Sequence, residues 1–107
     1  MNATSRPVSV AIPTYRREQV LVDTIAQLRA LGSPPAEILV VDQTEVHDPA
    51  IAAQLESLDH AGAVRWIRLP EPSITHAMNV ALREARAPIV LFLDDDATVA
   101  DGWLASH

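Results

Sequence analysis

The sequence feature that most limits the fold of this chain is a short apolar run that ends in three consecutive carboxylates. Residues 88–93 read Pro-Ile-Val-Leu-Phe-Leu, and Asp94, Asp95 and Asp96 follow directly. Such a run, rich in β-branched and aromatic residues, predicts a buried parallel strand. Because side chains alternate along an extended segment, we expect Asp94 and Asp96 on one side and Asp95 on the other. Parallel sheets keep ligand sites at the carboxyl ends of strands, so the sequence predicts a functional site here.

The mutual repulsion of these three negative charges indicates what they bind. A divalent cation or a set of hydrogen-bond donors would offset the repulsion. The alternative is a solvated acidic turn that caps a following helical turn. The position of the carboxylates directly after a buried strand favours the functional interpretation.

Further strands alternate with helices along the rest of the chain. Apolar runs predict strands over 7–12, 37–41, 64–69 and 89–93, and Pro13 is expected to end the first of them. The second strand leads into a polar segment that again begins with an aspartate. The third alternates apolar and basic residues, which is typical of an edge strand.

The segments between the strands have helical periodicity and helix-terminal signals. Asp48 and Pro49 predict one helix start, Ser73 predicts another, and Gly32 predicts the end of the first helix. The pattern predicts an α/β fold, namely a Rossmann-like parallel sheet of about four strands with flanking helices. The apolar positions expected to face inward are Val20, Leu21, Ile25, Leu28, Leu31, Ile51, Leu55, Leu58, Ile74, Ala77, Met78, Ala81 and Leu82.

Composition excludes several classes of function. With 107 residues the sequence forms one domain at most. A net charge of −6 without a basic cluster argues against nucleic acid as a partner. The chain has no cysteine and no apolar run near the ~20 residues that cross a bilayer, so we expect no membrane insertion and a cytoplasmic location.

Four segments in this order resemble the nucleotide-sugar-binding half of family 2 glycosyltransferases of the GT-A fold. They are residues 8–15, 37–42, 77–82 and 90–96, the last containing the acidic triplet that matches the family's DxD motif. The resemblance implies that residues 1–107 form a single donor-binding half-domain whose partner is a nucleoside diphosphate sugar. It also implies that the acceptor half and its catalytic base are absent, so no catalytic residue is assigned.

Further roles come from the resemblance residue by residue. It implies that Pro13, Thr14 and Tyr15 line the nucleotide pocket. Asp42 is expected to accept a hydrogen bond from the base, and Asn79 to contact the donor.

The resemblance also assigns roles to the acidic triplet. Asp94 and Asp95 are expected near the ribose and the sugar. Asp96, together with Asp94, is the expected ligand of a Mn²⁺ or Mg²⁺ ion that bridges the diphosphate oxygens. A hard cation held by carboxylates is chemically suited to a diphosphate leaving group, which accumulates negative charge.

Two other functions stay open at this point. The first alternative is a non-catalytic nucleotide-binding or interaction module. The segment 92–98 also fits the DxDxT pattern of haloacid dehalogenase-like phosphatases, in which Asp94 would be the nucleophile and Asp96 its acid/base partner. In the resembling fold, the strand over 89–93 has a second neighbour outside this half, so we also expect a homo-oligomer through its exposed edge.

Overall fold

The computed structural model describes residues 7–100, which form a parallel sheet in the order β3-β2-β1-β4 with helices on both faces. The predicted fold class is confirmed. No helix in the described part of the chain is long and apolar enough to cross a membrane. The elements are β1 Val8–Thr14, α1 Gln19–Arg29, β2 Glu37–Asp42, α2 Pro49–His60, β3 Arg65–Arg68, α3 Ile74–Glu84 and β4 Ile89–Phe92.

Alternate side chains of the two central strands supply two separate cores. Val10 and Ile12 of β1 belong to the larger core, which contains the buried residues of α1 and α2. Ala11 and Leu39 belong to a smaller core on the other face, beneath α3. The helix of each crossover packs on the sheet, and both cores together bury β1 and β2 almost completely.

The sequence predicted that Pro13 ends the first strand, but the strand continues to Thr14. The backbone oxygen of Thr14 accepts a hydrogen bond from the Gln43 N–H at 2.9 Å, and the backbone oxygen of Ala11 accepts one from the Leu93 N–H. Alternate residues bond to opposite neighbours, so Pro13 faces the side of β4, which has already ended at that level. The missing N–H therefore removes no ladder hydrogen bond. The extra residues carry Thr14 to the carboxyl edge of the sheet.

The inward face of α3 also differs from the prediction. Ile74, Met78 and Leu82 are 62%, 38% and 56% exposed and form a stripe along one flank of the helix. Helical spacing alone predicted an inward face of α3 that is wider than the face that packs on the sheet. Val20 of α1 is likewise exposed, whereas most of the other predicted core positions are buried. The residues of α3 that are buried are Ala77, Val80 and Ala81.

The two edge strands differ in character. β3 carries Arg65 and Arg68, as expected for a strand with one exposed face. β4 is apolar throughout and, within residues 7–100, pairs only with β1. Phe92 pairs with Ala11 and so points to the face that α3 covers, where it is partly exposed.

Candidate functional site

An open cavity of about 400 Å³ lies at the carboxyl edge of the sheet. The ends of β1 and β2, the start of α3 and the turn after β4 all contribute to it. The lining therefore includes four residues that the sequence analysis assigned to the site, Pro13, Thr14, Tyr15 and Asp95. The other lining residues are Arg17, Gln43, Pro72, Ser73 and Ile74.

A larger hollow of about 590 Å³ lies at the opposite, amino end of the strands. Four prolines line it, together with Arg65 and Glu37, which form an ion pair with each other at 3.5 Å. Arg65 also pairs with Glu84 at 2.9 Å. These charges are used within the fold, so the smaller cavity at the carboxyl edge is the candidate site.

The three carboxylates after β4 lie in a turn and not in an extended segment. The strand ends at Phe92, and the N–H of Ala97 donates to the oxygen of Asp94 at 3.2 Å. The predicted extended segment is therefore wrong, because the chain turns directly after the strand, although Asp94 and Asp96 still differ from Asp95 in their exposure. We call residues 94–97 the acidic turn. Asp94 and Asp96 are exposed on it, and Asp95 is partly buried.

Asp95 is held by groups from β1, α1 and the loop between them. Thr14 Oγ1 donates to Asp95 Oδ2 at 2.8 Å, and Arg17 Nε lies 3.2 Å from Oδ1. Thr24 Oγ1 donates to the backbone oxygen of Asp95 at 2.8 Å, which fastens the turn to α1. Arg17 Nη2 also approaches Asp96, at 3.9 Å. The sequence analysis missed Thr24, whose only signal is a hydroxyl at an inward helical position.

Asp42 is fully buried beneath the cavity and does not line it. Its Oδ2 accepts a hydrogen bond from Trp66 Nε1 at 2.8 Å and contacts His47 Nε2. Its Oδ1 accepts one from the Thr44 N–H at 3.0 Å. Both oxygens are therefore occupied by protein donors, and the carboxylate is not presented to a ligand in this structure.

His47 links the loop after β2 to the loop after β1. Its Nδ1 lies 2.8 Å from Glu18 Oε1, while Glu18 Oε2 accepts a hydrogen bond from the Asp48 N–H at 3.1 Å. We call Asp42, His47 and Glu18 the buried cluster. Burial opposes a charge on His47, but its hydrogen bonds to Asp42 and Glu18 outweigh burial and raise its pKa above 6.5. The imidazolium then donates to both carboxylates.

A second set of contacts fixes the rim of the cavity. Arg16 adopts a left-handed backbone conformation with φ of 56°, and its N–H donates to Thr44 Oγ1 at 2.7 Å. Its guanidinium lies 4.9 Å above the Tyr15 ring and pairs with Glu45 at 3.2 Å. Tyr15 Oη donates to the same carboxylate, also at 3.2 Å. These contacts hold the Tyr15 ring at the cavity mouth.

Gln43 is a site residue that the sequence analysis did not single out. It is buried, and its Nε2 donates to the backbone oxygens of Glu71 at 3.0 Å and Ser73 at 2.8 Å. Both amide hydrogens are thus used, which fixes the orientation of the side chain. Within residues 7–100 no protein donor reaches Oε1, and no fully buried side-chain oxygen lacks a partner. Oε1 is therefore accessible from the cavity that Gln43 lines.

Asn79 lies on the exposed surface of α3 and does not line the cavity. Nearer the site, Ser73 caps α3 as predicted, because its hydroxyl accepts a hydrogen bond from the His76 N–H at 3.3 Å. The start of α3 therefore contributes Ser73 and Ile74 to the cavity, and its middle contributes nothing.

The acidic turn fits a hard cation that a second ligand helps to hold. Within residues 7–100 no three His, Cys, Asp or Glu side chains are arranged as a complete metal site. Asp94 and Asp96 supply exposed carboxylate oxygens, the ligand type that Mg²⁺ and Mn²⁺ prefer. Such ions are commonly bound by one or two carboxylates plus phosphate oxygens.

Comparison with known proteins identifies relatives of this chain. The family described as Glycosyl transferase family 2 matches residues 9–107. The succinoglycan biosynthesis protein ExoM of Rhizobium meliloti (strain 1021) is 29% identical over 100 residues, which are 91% of this chain and 32% of ExoM. The chain therefore spans about a third of the length of this curated relative.

Solved structures share the same architecture. One is the mannosyltransferase PcManGT from Pyrobaculum calidifontis, in complex with GDP-Man and Mn²⁺. It is 27% identical to this chain with a TM-score of 0.78, and the match covers 95% of this chain and 31% of the PcManGT chain. Residues 1–349 of S. aureus TarS, in complex with UDP-GlcNAc, are 24% identical with a TM-score of 0.70, covering 94% and 29%. At that identity the likeness to TarS shows the fold alone.

Proposed function

We propose, from the premise that this chain belongs to glycosyl transferase family 2, that it binds the nucleotide-sugar donor of a glycosyl transfer with a divalent cation. One observation carries the proposal. Asp95 of the acidic turn meets Thr14 and Arg17 of the β1 segment in one open cavity at the carboxyl edge. The similar PcManGT structure contains GDP-Man and Mn²⁺, which supports this ligand class. The family assignment removes the phosphatase alternative.

In the proposed complex, the exposed carboxylates of Asp96 and Asp94 hold Mn²⁺ or Mg²⁺. When bound, the cation offsets the negative charge that accumulates on a diphosphate leaving group. Asp95 cannot serve equally, because Thr14 and Arg17 already contact both of its oxygens. Its role is to anchor the acidic turn beside the ribose and sugar.

The base is read by Gln43 and not by Asp42. Nucleobases such as uracil and guanine present ring N–H donors, and the Oε1 of Gln43 is an acceptor whose orientation is already fixed. Asp42 is buried and engaged by three donors, so it supports the loop from below. The exposed ring of Tyr15 provides an apolar surface at the cavity mouth.

Titration calorimetry with UDP and with GDP, each with Mn²⁺ and with chelator, tests this proposal. We expect weak nucleotide binding that strengthens with Mn²⁺. Asp96→Ala should lose the effect of the metal, whereas Asp23→Ala, an exposed carboxylate of α1, should keep it. Equal affinity with Mn²⁺ and with chelator would contradict the metal site, and no binding of either nucleotide would contradict the donor site.

We further propose that residues 1–107 alone bind a donor without transferring its sugar. A transfer also requires a base for the acceptor hydroxyl, an effect worth about 10²- to 10⁴-fold. Apart from Asp95, no carboxylate or imidazole of the described residues lines the cavity. Acceptor-dependent release of UDP or GDP on the order of 1 s⁻¹ by the isolated chain would contradict this proposal and exclude a binding-only module.

The free edge of β4 is proposed to pair with a second copy of the isolated chain. Within the described residues this edge lacks a neighbour, and Phe92 on β4 as well as Met78 and Leu82 on α3 are partly exposed apolar side chains. An apolar edge without charges is a template for strand pairing. Light scattering over a concentration series is the measurement, and a clean monomer at about 100 μM would contradict pairing. Leu82→Glu should shift any dimer toward monomer.

A further inference from the structure

We infer that Arg17 is the resident counter-ion of the acidic turn, so that a divalent cation must displace it and thereby frees its guanidinium for the donor diphosphate. The inference rests on the proposed function but concerns a residue to which that function assigned no part in metal binding. It predicts that Arg17 opposes binding of the metal alone and favours binding of the nucleotide with the metal.

The contacts of Arg17 place its charge beside the acidic turn, next to Asp96, which is one of the two carboxylates that the cation would use. Its Nε lies 3.2 Å from Asp95 Oδ1, and its Nη2 lies 3.9 Å from Asp96 Oδ2. Thr14 binds the other oxygen of Asp95 at 2.8 Å. Asp96 is therefore contacted only at long range, and it is the carboxylate that Arg17 releases most easily.

Arg17 is also held loosely enough to move. Its side chain is 48% exposed, and its pair with the exposed Asp96 is a long ion pair of the kind that contributes little to stability. A divalent cation attracts Asp96 with twice the charge and at a shorter distance, so it displaces the guanidinium from this carboxylate. Displacement costs the protein only a weak contact.

Once displaced, the guanidinium remains in the cavity, since Arg17 is part of its lining. The planar fork of an arginine binds two phosphate oxygens at once, which a carboxylate-bound cation leaves partly unsatisfied. The metal thus replaces Arg17 at Asp96, and Arg17 then binds the diphosphate. Because binding energies are reciprocal, the nucleotide strengthens metal binding by the same factor as the metal strengthens nucleotide binding.

The neighbouring Arg16 provides a matched control. Its guanidinium is bound to Glu45 by two hydrogen bonds, at 3.2 and 3.3 Å, and stacks over the Tyr15 ring. It does not line the cavity. Arg16→Gln is therefore the control for binding of Mn²⁺ alone, because it changes the net charge as much as Arg17→Gln does and Arg16 contacts no residue of the acidic turn. It is not a control for nucleotide binding, because Arg16 holds the Tyr15 ring.

The experiment measures binding of Mn²⁺ alone to the full chain from the paramagnetic resonance signal of free Mn²⁺. Arg17→Gln is expected to bind Mn²⁺ about two- to fivefold more tightly than the wild type, the range for an exposed ion pair. Arg16→Gln is expected to match the wild type. With Mn²⁺ saturating, Arg17→Gln should bind UDP and GDP about tenfold more weakly, the value of a charged hydrogen bond. Arg17→Lys should restore weak metal binding but not full nucleotide affinity.

The outcomes separate this inference from the proposed function. Equal or weaker Mn²⁺ binding by Arg17→Gln would show that Arg17 only supports the turn, and it would overturn the inference while leaving the donor site intact. An equal gain in Arg16→Gln would reduce the effect to net charge and also overturn it. No binding of Mn²⁺ or nucleotide to any variant would overturn the proposed function and the inference together.

Discussion

The buried cluster and the acidic turn occupy the same edge of the sheet, and both follow a parallel strand, the buried β2 in one case and the partly exposed edge strand β4 in the other. Asp42 of the buried cluster is completely enclosed, whereas the Asp96 side chain of the acidic turn is 53% exposed. Three protein donors saturate Asp42, while among residues 7–100 Asp96 has only a distant guanidinium. A carboxylate at a strand end is thus structural when the protein supplies its donors and available to ligands when it does not.

The largest expected effect is the loss of His47 from the buried cluster. In His47→Ala the carboxylates of Asp42 and Glu18 lose the cation between them, and an unpaired buried charge is strongly destabilising. The free energy of unfolding should fall by about 3 kcal/mol in urea denaturation. The exposed His60→Ala should stay within about 0.5 kcal/mol of the wild type. A loss below about 1 kcal/mol in His47→Ala would show that the buried cluster contributes no more to the free energy of unfolding than the acidic turn does.

The raised pKa of His47 predicts that the contribution of the buried cluster to stability depends on pH. Because the pKa of His47 is raised in the folded state, its contribution to stability is complete below pH 6.5 and is lost as pH rises through the raised value. The charged groups that face the imidazole are Asp42 and Glu18. The advantage of the wild type over His47→Gln should therefore shrink from pH 6 to pH 9. An advantage that grows with pH would contradict the charged cluster.

A smaller effect is expected where the acidic turn is anchored. Thr14→Val removes the hydrogen bond to Asp95 and should lower the free energy of unfolding by about 1 kcal/mol. It should also weaken the effect of Mn²⁺ on nucleotide affinity, since the turn loses its tie to β1. Thr98→Val, an exposed residue just beyond the turn, is the matched control for both measurements.

The smallest change in stability should come from Asp96, the residue that is proposed to hold the metal. Asp96→Ala should alter the free energy of unfolding by less than about 0.5 kcal/mol, because its side chain is exposed and its ion pair is long. The same variant should lose the effect of Mn²⁺ on nucleotide binding. A large loss of stability would show that the acidic turn is structural, like the buried cluster.

Sequence patterns predicted the order of the elements because each strand and helix has its own periodicity. The errors arise where the end of a strand or the burial of a side chain depends on an element that is distant in the sequence. Pro13 continues β1 because β4 has ended beside it, which no local rule contains. Met78 and Leu82 are exposed because the sheet contacts only a narrow arc of α3.

The candidate site shows the same division. Thr14 and Asp95 were assigned from strand ends and from the family resemblance, and both line the cavity. The partners of Asp42 were missed, because His47 and Trp66 are 5 and 24 residues away and share no spacing with it. Gln43 could have been found only by asking which polar side chain beyond β2 keeps an unused acceptor.

The strand order β3-β2-β1-β4 also sets when the cavity can exist during folding. The contact between Glu18 and His47 spans 29 residues, whereas the contact between Thr14 and Asp95 spans 81. Closing the longer loop costs more chain entropy, and β4 is synthesised after every other element of the described sheet. We expect the buried cluster to assemble first and the acidic turn to dock last. The cavity that is proposed to bind the donor is therefore complete only when the last strand of the described sheet has joined it.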